Sequence, residues 1–236
     1  MAIFKITYSE KYRRATLYNF GCNFHCRGCL YKLKKRKKPN KFLSIEEIKS
    51  ALKSLPIERV HFIGGEPTIN PQLSYLLQFC KEELNLYTAL GHTNGSFIPT
   101  TNLDSANVGF KAFDENLYLD YTGYSGKKVF EQFRLGFEHG LEMKANVIFI
   151  PGYIDEYQIE KIAIFLSKLD SGILFHIEGY IPVPGIDFRR PTKEEMKKAV
   201  EIAQQYLTRV TFSHLTPEEI INPGLRDDRF MVRQIL

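Results

Sequence analysis

The chain has 236 residues, of which 44% are hydrophobic and 25% charged, and its formal net charge is +5. These values are typical of a globular protein with one large domain, and we expect a single domain over 1–236 with its core at about 14–213 and a tail from about 214. The sequence has no run of about 18 apolar residues, which excludes a predicted membrane span. Charge appears already at Lys5, too early for a signal peptide, and we therefore expect a cytoplasmic protein.

Short runs of β-branched and aromatic residues alternate along the chain with amphipathic segments of helical period. The predicted strands cover residues 16–20, 59–63, 86–90, 107–113, 145–150 and 173–177, with a short seventh candidate at 209–212. The predicted helices cover residues 45–55, 72–83, 127–140 and 155–169, and a last one follows residue 192. Sequences typical of a capping box, 44–47 (Ser-Ile-Glu-Glu) and 192–195 (Thr-Lys-Glu-Glu), open two of these helices.

Strand–helix alternation indicates parallel strands joined by right-handed crossovers. Six units are too few for a closed eight-stranded barrel, so we predict an α/β fold with a partial (β/α)6 TIM-like barrel. A flat, doubly wound sheet is the alternative. In both folds, functional residues collect at the carboxyl ends of the strands. The residues that follow the first three predicted strands in this way are Cys22, Gly64, Gly65, Glu66, Thr93 and Asn94, and Lys111 lies near the end of the fourth.

Three of the four cysteines lie close together, as Cys22, Cys26 and Cys29 with the spacing C-x3-C-x2-C. Three thiolates on one loop suit a soft metal centre. A four-iron cubane usually takes four cysteine ligands, so three would leave one iron open to chemistry. A zinc site completed by His25 is an alternative, although zinc ligands are usually spaced further apart, and inert packing is another. Cys80 belongs to an apolar helical pattern and is assigned to the core.

The cysteine loop and the later sequence 64–67 (Gly-Gly-Glu-Pro) together resemble the signature of radical S-adenosylmethionine (SAM) enzymes. The resemblance implies that the cysteines hold a [4Fe-4S] cluster whose open iron binds the amino and carboxylate groups of SAM. It also implies that the 64–67 turn lies beside the SAM amino group. The glycines would let backbone approach the ligand, and Glu66 offers a carboxylate to an ammonium. An ordinary strand-to-helix turn is the alternative.

Within that superfamily the chain is most similar to activating enzymes of glycyl radical enzymes, such as pyruvate formate-lyase activating enzyme. Three stretches carry the likeness: 93–95 (Thr-Asn-Gly), 110–123 and 147–155. The resemblance implies that Thr93, Asn94 and Lys111 face SAM, and a solvated lysine is the alternative for Lys111. It further implies reductive cleavage of SAM to a 5′-deoxyadenosyl radical, which abstracts hydrogen from a glycine of a partner enzyme.

The chain departs from the family pattern at two glycines. Gly28 stands where the family usually has an aromatic residue that packs on adenine, so Tyr31 or another residue must supply that contact. Gly109 replaces the aspartate of the family's D-L-K segment. These departures leave the cofactor chemistry intact and the substrate open. His176 and Glu178, on the sixth predicted strand, are candidates for substrate contact or for a core or rim position.

Other substrates and partners remain open. A small molecule, a cofactor precursor or an RNA-related compound is the alternative to a partner glycine, and a zinc-binding module without catalysis is a third possibility. The basic run 32–38 suits an RNA, or an acidic electron donor such as flavodoxin or ferredoxin, and a solvated loop is its ordinary interpretation. The tail from about His214 matches nothing in the family pattern.

Overall fold

The computed structural model describes residues 3–33, 38–222, 228 and 231–236. Within these residues, nine strands form one sheet in the order β8-β7-β6-β5-β4-β3-β2-β1-β9. The strands are β1 (Ile3–Ser9), β2 (Arg14–Asn19), β3 (Arg59–Ile63), β4 (Tyr87–Thr93), β5 (Ser105–Phe110), β6 (Glu142–Phe149), β7 (Leu174–Gly179), β8 (Val210–Ser213) and β9 (Arg233–Gln234).

Helices lie between most of the parallel strands, with none between β4 and β5 and two between β5 and β6. They are α1 (Ile45–Lys53), α2 (Leu73–Gln78), α3 (Glu115–Thr122), α4 (Gly126–Glu138), α5 (Glu156–Ser167), α6 (Lys193–Gln204) and α7 (Pro217–Ile221). A π-helical segment, Phe79–Glu83, extends α2 to the end of the helix predicted there. Both predicted capping boxes are formed, because Ser44 and Thr192 each exchange hydrogen bonds with the glutamate three residues later.

The strand order confirms the partial barrel over the doubly wound sheet. Strands β2 to β8 are parallel, and each pairs with the next strand in the sequence. A doubly wound sheet would reverse its strand order at a switch point, and this order never reverses. Because every crossover is right-handed by rule, the connecting helices collect on one face and leave the other face free to line an interior. The candidate seventh strand is present as β8.

The two faces of the sheet differ in character because side chains alternate along each strand. On β6, Val147 and Phe149 are fully buried against the helices. The intervening Asn146 and Lys144 face the interior of the barrel, where Lys144 lines a cavity. The apolar core therefore lies between sheet and helices, and the interior carries polar side chains.

The sheet extends beyond the predicted core at both ends of the chain. The unpredicted strand β1 pairs antiparallel with β2, and the short β9 pairs with β1 at Thr7 and Tyr8. The N–H of Ile6 also donates to the carbonyl of Leu236 at 3.0 Å. Part of the predicted tail is thus bound to the edge of the sheet. Among the described residues, no helix is both long and apolar enough to cross a bilayer.

Candidate functional site

The cysteine loop leaves the carboxyl end of β2 and is anchored to the end of α3. The N–H groups of His25 and Arg27 donate to the carbonyls of Thr122 and Tyr121, each at 2.9 Å. Helix α3 ends there because Gly123 adopts φ +71°, a left-handed conformation that favours glycine at a helix end. The sequence did not predict α3, so it gave no indication of what supports the loop.

A buried aromatic residue, Phe24, lies between the first two cysteines of the loop. Cys22 is exposed, whereas Cys26 and Cys29 are partly buried. The ring of Phe24 is 6% exposed and stacks on Tyr124 with 4.6 Å between ring centroids. The buried ring fixes the middle of the loop, while the cysteines remain on its accessible side.

Burial favours the protonated form of two of the thiols, Cys22 and Cys26. Burial raises the pKa of Cys26 to about 11, against the opposing effect of the nearby Lys111 ammonium, and burial also raises the pKa of Cys22. Since metals bind the thiolate, loading this loop would release protons.

The donor set of the loop, three cysteines, favours an iron–sulfur cluster over a single metal ion. In the described residues, no three His, Cys, Asp or Glu side chains come close enough to ligate one ion, so the closed zinc site with His25 is not formed there. In an iron–sulfur cubane each cysteine ligates a different iron, so its ligands stand further apart. The cysteine-only donor set of this loop fits that group.

The turn after β3 packs directly against the start of the cysteine loop. Gly64 and Gly65 have φ of +86° and +52°. A Cβ at Gly65 would lie 1.9 Å from the carbonyl oxygen of Gly21, and one at Gly64 would lie 2.8 Å from that of Asn19. The N–H of Glu66 also donates to the Gly21 carbonyl at 2.8 Å. These glycines are therefore required by contact with the cysteine loop, in addition to any approach of a ligand.

The Glu66 carboxylate joins the turns after β3 and β4. It is fully buried and accepts hydrogen bonds from the N–H and hydroxyl of Thr68 (3.0 and 2.8 Å), the hydroxyl of Thr93 (2.7 Å) and the N–H of Asn94 (2.5 Å). Burial raises the pKa of Glu66, and these hydrogen bonds oppose that rise. The expected contact of this carboxylate with an ammonium stays a prediction.

Asn94 connects the β4 turn to the cysteine loop. Its Nδ2 lies 3.7 Å from the Sγ of Cys22 and donates to Oδ1 of Asn23 at 2.8 Å. Its Oδ1 accepts from the N–H of Ser96 at 2.9 Å. Since Thr93 and Asn94 are both buried, the structure brings the β2, β3 and β4 ends into one hydrogen-bonded unit.

Lys111 lies at the same mouth, beside the space left by Gly109. Its side chain is buried, and its ammonium lowers the pKa of Cys26. A Cβ at Gly109 would meet the Lys111 Nζ at 2.8 Å, the Asn146 Oδ1 at 3.1 Å and the His92 Nε2 at 3.5 Å. Glycine in place of the family's aspartate thus opens room for three polar atoms. Because Lys111 is buried, the structure does not support the alternative of a solvated lysine.

His92 and Asn146 also lie beside Gly109 and are not predicted from the sequence. The pairing of β4 with β5 is irregular between Leu90 and Thr93, and both Gly91 and His92 line the cavity. Bulges of this kind redirect side chains near active sites, but strict alternation gives no sign of them. The Oδ1 of Asn146 is buried without a hydrogen-bond partner. The sequence does indicate Asn146, because it is a polar residue within the apolar run at 145–150.

The barrel interior holds a cavity of about 920 Å³ that extends to the cysteine loop at Gly28 and Leu30. His176 and Glu178 both line it, which favours the substrate-facing prediction over a core position. The His176 ring is within hydrogen-bond distance of the hydroxyls of Thr211 (2.8 Å) and Ser213 (3.1 Å).

Gly28 has no room for the aromatic side chain that the family usually carries. A Cβ there would lie 2.6 Å from the Tyr121 hydroxyl and 2.7 Å from the Tyr180 ring. The Tyr31 hydroxyl accepts from the N–H of Gly65 at 3.2 Å, so this ring lies at the mouth. Its predicted contact with adenine fits that place and stays a prediction.

Two further predictions concern residues away from the mouth. Cys80 is fully buried in the apolar core, as expected, and burial raises its pKa to about 12. Most of the basic run, residues 34–37, lies outside the described residues.

Comparison with known proteins gives a family and a close relative. A profile of the radical SAM superfamily matches residues 17–163. A protein of Methanocaldococcus jannaschii, provisionally named a glycyl-radical enzyme activating enzyme, is 31% identical over 222 residues. The match covers 90% of this chain and 84% of that protein.

Solved structures share the fold. Streptococcus suis SuiB bound to S-adenosylmethionine matches with a TM-score of 0.67 and 18% identity over 88% of this chain, which spans 52% of SuiB. A domain of pyruvate-formate lyase-activating enzyme from Bacteroides vulgatus matches with a TM-score of 0.57 and 20% identity, covering 66% of this chain and 98% of that domain. At these identities, the likeness establishes the architecture alone.

Proposed function

Because the chain belongs to the radical SAM superfamily, we propose that Cys22, Cys26 and Cys29 hold its [4Fe-4S] cluster at the mouth of the barrel. The enzyme uses this cluster and SAM as cofactors. Together they supply reductive cleavage of SAM to methionine and a 5′-deoxyadenosyl radical, which takes a hydrogen atom from the substrate. The observation that carries the proposal is the cysteine-only loop joined by hydrogen bonds to the turns after β3 and β4.

The fourth cysteine of the chain is not placed to complete the cluster. Cys80, the remaining one, is fully buried in the core behind the sheet. One iron is therefore left for SAM, and the three thiolates from one short loop fix the orientation of the open site.

The turns around this loop would hold SAM in one orientation. The backbone of Gly64 and Gly65 lies against the start of the cysteine loop. The buried Glu66 carboxylate holds Thr93 and Asn94 in position by hydrogen bonds. These residues present backbone groups and one amide side chain beside Cys22. The Lys111 ammonium, near Cys26, offers a charge to a carboxylate. We assign these six residues, Gly64, Gly65, Glu66, Thr93, Asn94 and Lys111, to SAM binding.

The substrate we propose first is a glycine of a partner glycyl radical enzyme. The names of the M. jannaschii relative and of the B. vulgatus domain support this choice. Synthetic peptides containing α,α-dideuterioglycine are suitable probes. We expect deuterium to appear in 5′-deoxyadenosine, detected by mass spectrometry. If 5′-deoxyadenosine forms but none of these peptides transfers deuterium to it, a glycine substrate would be contradicted.

A small molecule or cofactor precursor is the second candidate. The cavity of about 920 Å³ favours it, because a concave interior with apolar surface and several polar side chains suits a compact ligand. An RNA-related substrate stays a prediction from the basic run 32–38, and strongly salt-dependent RNA binding would support it.

Reduction of the cluster requires an electron donor, and we propose an acidic protein such as flavodoxin or ferredoxin. The net charge of +5 suits such a partner. A reduction rate that falls steeply with added salt would support this assignment. We also propose that the chain acts as a single radical SAM domain. Its cytoplasmic location stays a prediction.

A further inference from the structure

The cavity has a basic end, formed by Arg14, His61 and Lys144, that the proposed cofactor residues do not use. All three side chains line the cavity. Arg14 begins β2, His61 lies in the middle of β3, and Lys144 is the third residue of β6. They lie toward the amino-terminal ends of the strands, away from the cysteine loop. Three basic groups from three strands thus line one cavity.

Small side chains separate the two flanks of this basic end. His61 is level with Ala89 on β4, and Ala89 is level with Ser105 on β5. Ala89 and Ser105 line the cavity too. Adjacent strands lie about 4.8 Å apart, so His61 and Lys144, three strands apart, are separated by about 14 Å along the sheet and by less across its concave face. Lys144 is level with Asn107, two residues beyond Ser105, so two small side chains and one amide line the space between them.

The charges at this end are mostly positive. The charged groups that act on His61 are Arg14, Arg59 and Lys144, and they add to the effect of burial in lowering its pKa to about 3. The Glu142 carboxylate is already engaged: it accepts from the Tyr87 hydroxyl at 2.7 Å and pairs with Lys144 at 3.0 Å. Its pKa is also lowered by Arg209. Arg14, Arg59 and Lys144 therefore give the surroundings of His61 a positive character, with Glu142 beside Lys144.

We propose that the basic end of the cavity binds the oxyanion group, a phosphate or a carboxylate, of a small-molecule substrate. This rests on the second candidate of the proposed function and specifies its chemical class. The cavity continues from His61 to Gly28 of the cysteine loop. At about 3.3 Å per strand residue, the three steps from His61 to Gly64 span about 10 Å. A substrate of that length, anchored by its oxyanion, would present its other end to the mouth.

The test measures anion binding to the full chain, loaded with its cluster and SAM under anaerobic conditions. Inorganic phosphate and succinate are titrated separately by calorimetry, with chloride holding the ionic strength constant. We expect saturable binding of at least one anion, and the preferred anion identifies the substrate's group. Lys144→Gln and Arg14→Gln should each weaken binding by about tenfold to a hundredfold, as expected for loss of a charged hydrogen-bond partner. Lys128→Gln, on the exposed face of α4, is the control and should bind like the wild type.

A second measurement needs no variant. Because the bound anion would stabilise its protonated ring, phosphate or succinate should raise the pKa of His61 in the wild type, followed by NMR. Absence of saturable binding of both anions, or equal weakening in Lys128→Gln, would overturn the proposal. The proposed function is tested separately on the same sample by 5′-deoxyadenosine formation without substrate. Cleavage of SAM without anion binding would reject only the oxyanion site.

Discussion

Glu66 lies in the turn that the sequence assigns to cofactor binding, yet its carboxylate is surrounded by donors from its own chain. Thr68, Thr93 and Asn94 together give it four hydrogen bonds. A buried carboxylate is stable only when it is paired in this way, so the interaction holds the β3 and β4 turns in one relative position. Glu66 therefore positions residues that we assign to SAM binding.

Gly65 and Gly140 give a matched pair of glycine substitutions. Both have positive φ, +52° and +81°, but only a Cβ at Gly65 meets other atoms, 1.9 Å from the Gly21 carbonyl oxygen. Gly140→Ala should cost about 1 kcal/mol of the free energy of unfolding from backbone strain alone. Gly65→Ala should cost about 3 kcal/mol or more, because the cysteine loop must shift as well. Denaturant unfolding measures both, and equal losses would contradict the close packing of the two turns.

His61 should make stability depend on pH. Its pKa is about 3 in the folded chain and about 6.5 when unfolded, so the unfolded chain binds the extra proton below about pH 6.5. Stability is therefore fully present above that pH and is lost as the pH falls. Between pH 7 and 5 the wild type should lose up to about 2 kcal/mol that His61→Gln retains. Denaturant unfolding in chloride buffer measures this, and parallel losses in both proteins would contradict the assignment.

At the scale of the elements, sequence pattern located the parallel strands and their functional ends. Strand β3 has the predicted bounds, and Gly109 did not interrupt β5. Strand β1 was missed although its sequence, Ile-Phe-Lys-Ile-Thr-Tyr-Ser, is rich in β-branched and aromatic residues. Helix α3 was missed because its apolar side is formed largely by tyrosines, Tyr118 and Tyr121, which do not give a strong apolar period. The inward position of His92 depends on a local irregularity that alternation does not reveal.

The contact between the cysteine loop and α3 predicts a strong effect at Phe24. This buried ring stacks on Tyr124 and meets Tyr118 edge-on at 6.4 Å. Phe24→Ala should cost about 3–5 kcal/mol of the free energy of unfolding, since the cavity is left in a packed region. It should also reduce the iron bound per chain, because the ring fixes the loop between its cysteines.

Phe97→Ala is the control for this change, since Phe97 is 51% exposed. It should alter stability by no more than about 0.5 kcal/mol and leave the iron content unchanged. An unaffected iron content in a folded Phe24→Ala chain would show that α3 does not support the metal site.

For the whole molecule, the alternation of strands and helices was sufficient to predict an open barrel, because right-handed crossovers leave few arrangements. The seventh candidate strand, predicted at 209–212, is present as β8, although it has only four residues and is largely exposed. The attachment of β9 to β1 was not predictable, because it joins residues far apart in sequence by backbone pairing over two positions. The cavity and its basic end likewise depend on which strands lie opposite each other.

The central claim is that Cys22, Cys26 and Cys29 carry the cluster that cleaves SAM. The most direct measurement is 5′-deoxyadenosine formation by the anaerobically reconstituted, dithionite-reduced chain, with iron, sulfide and zinc determined on the same sample. We expect about four irons per chain and product from the wild type and from Cys80→Ala, the matched cysteine control. Cys26→Ala should form no 5′-deoxyadenosine. A four-iron wild type that forms no 5′-deoxyadenosine, or a colourless chain with one zinc, would contradict the claim.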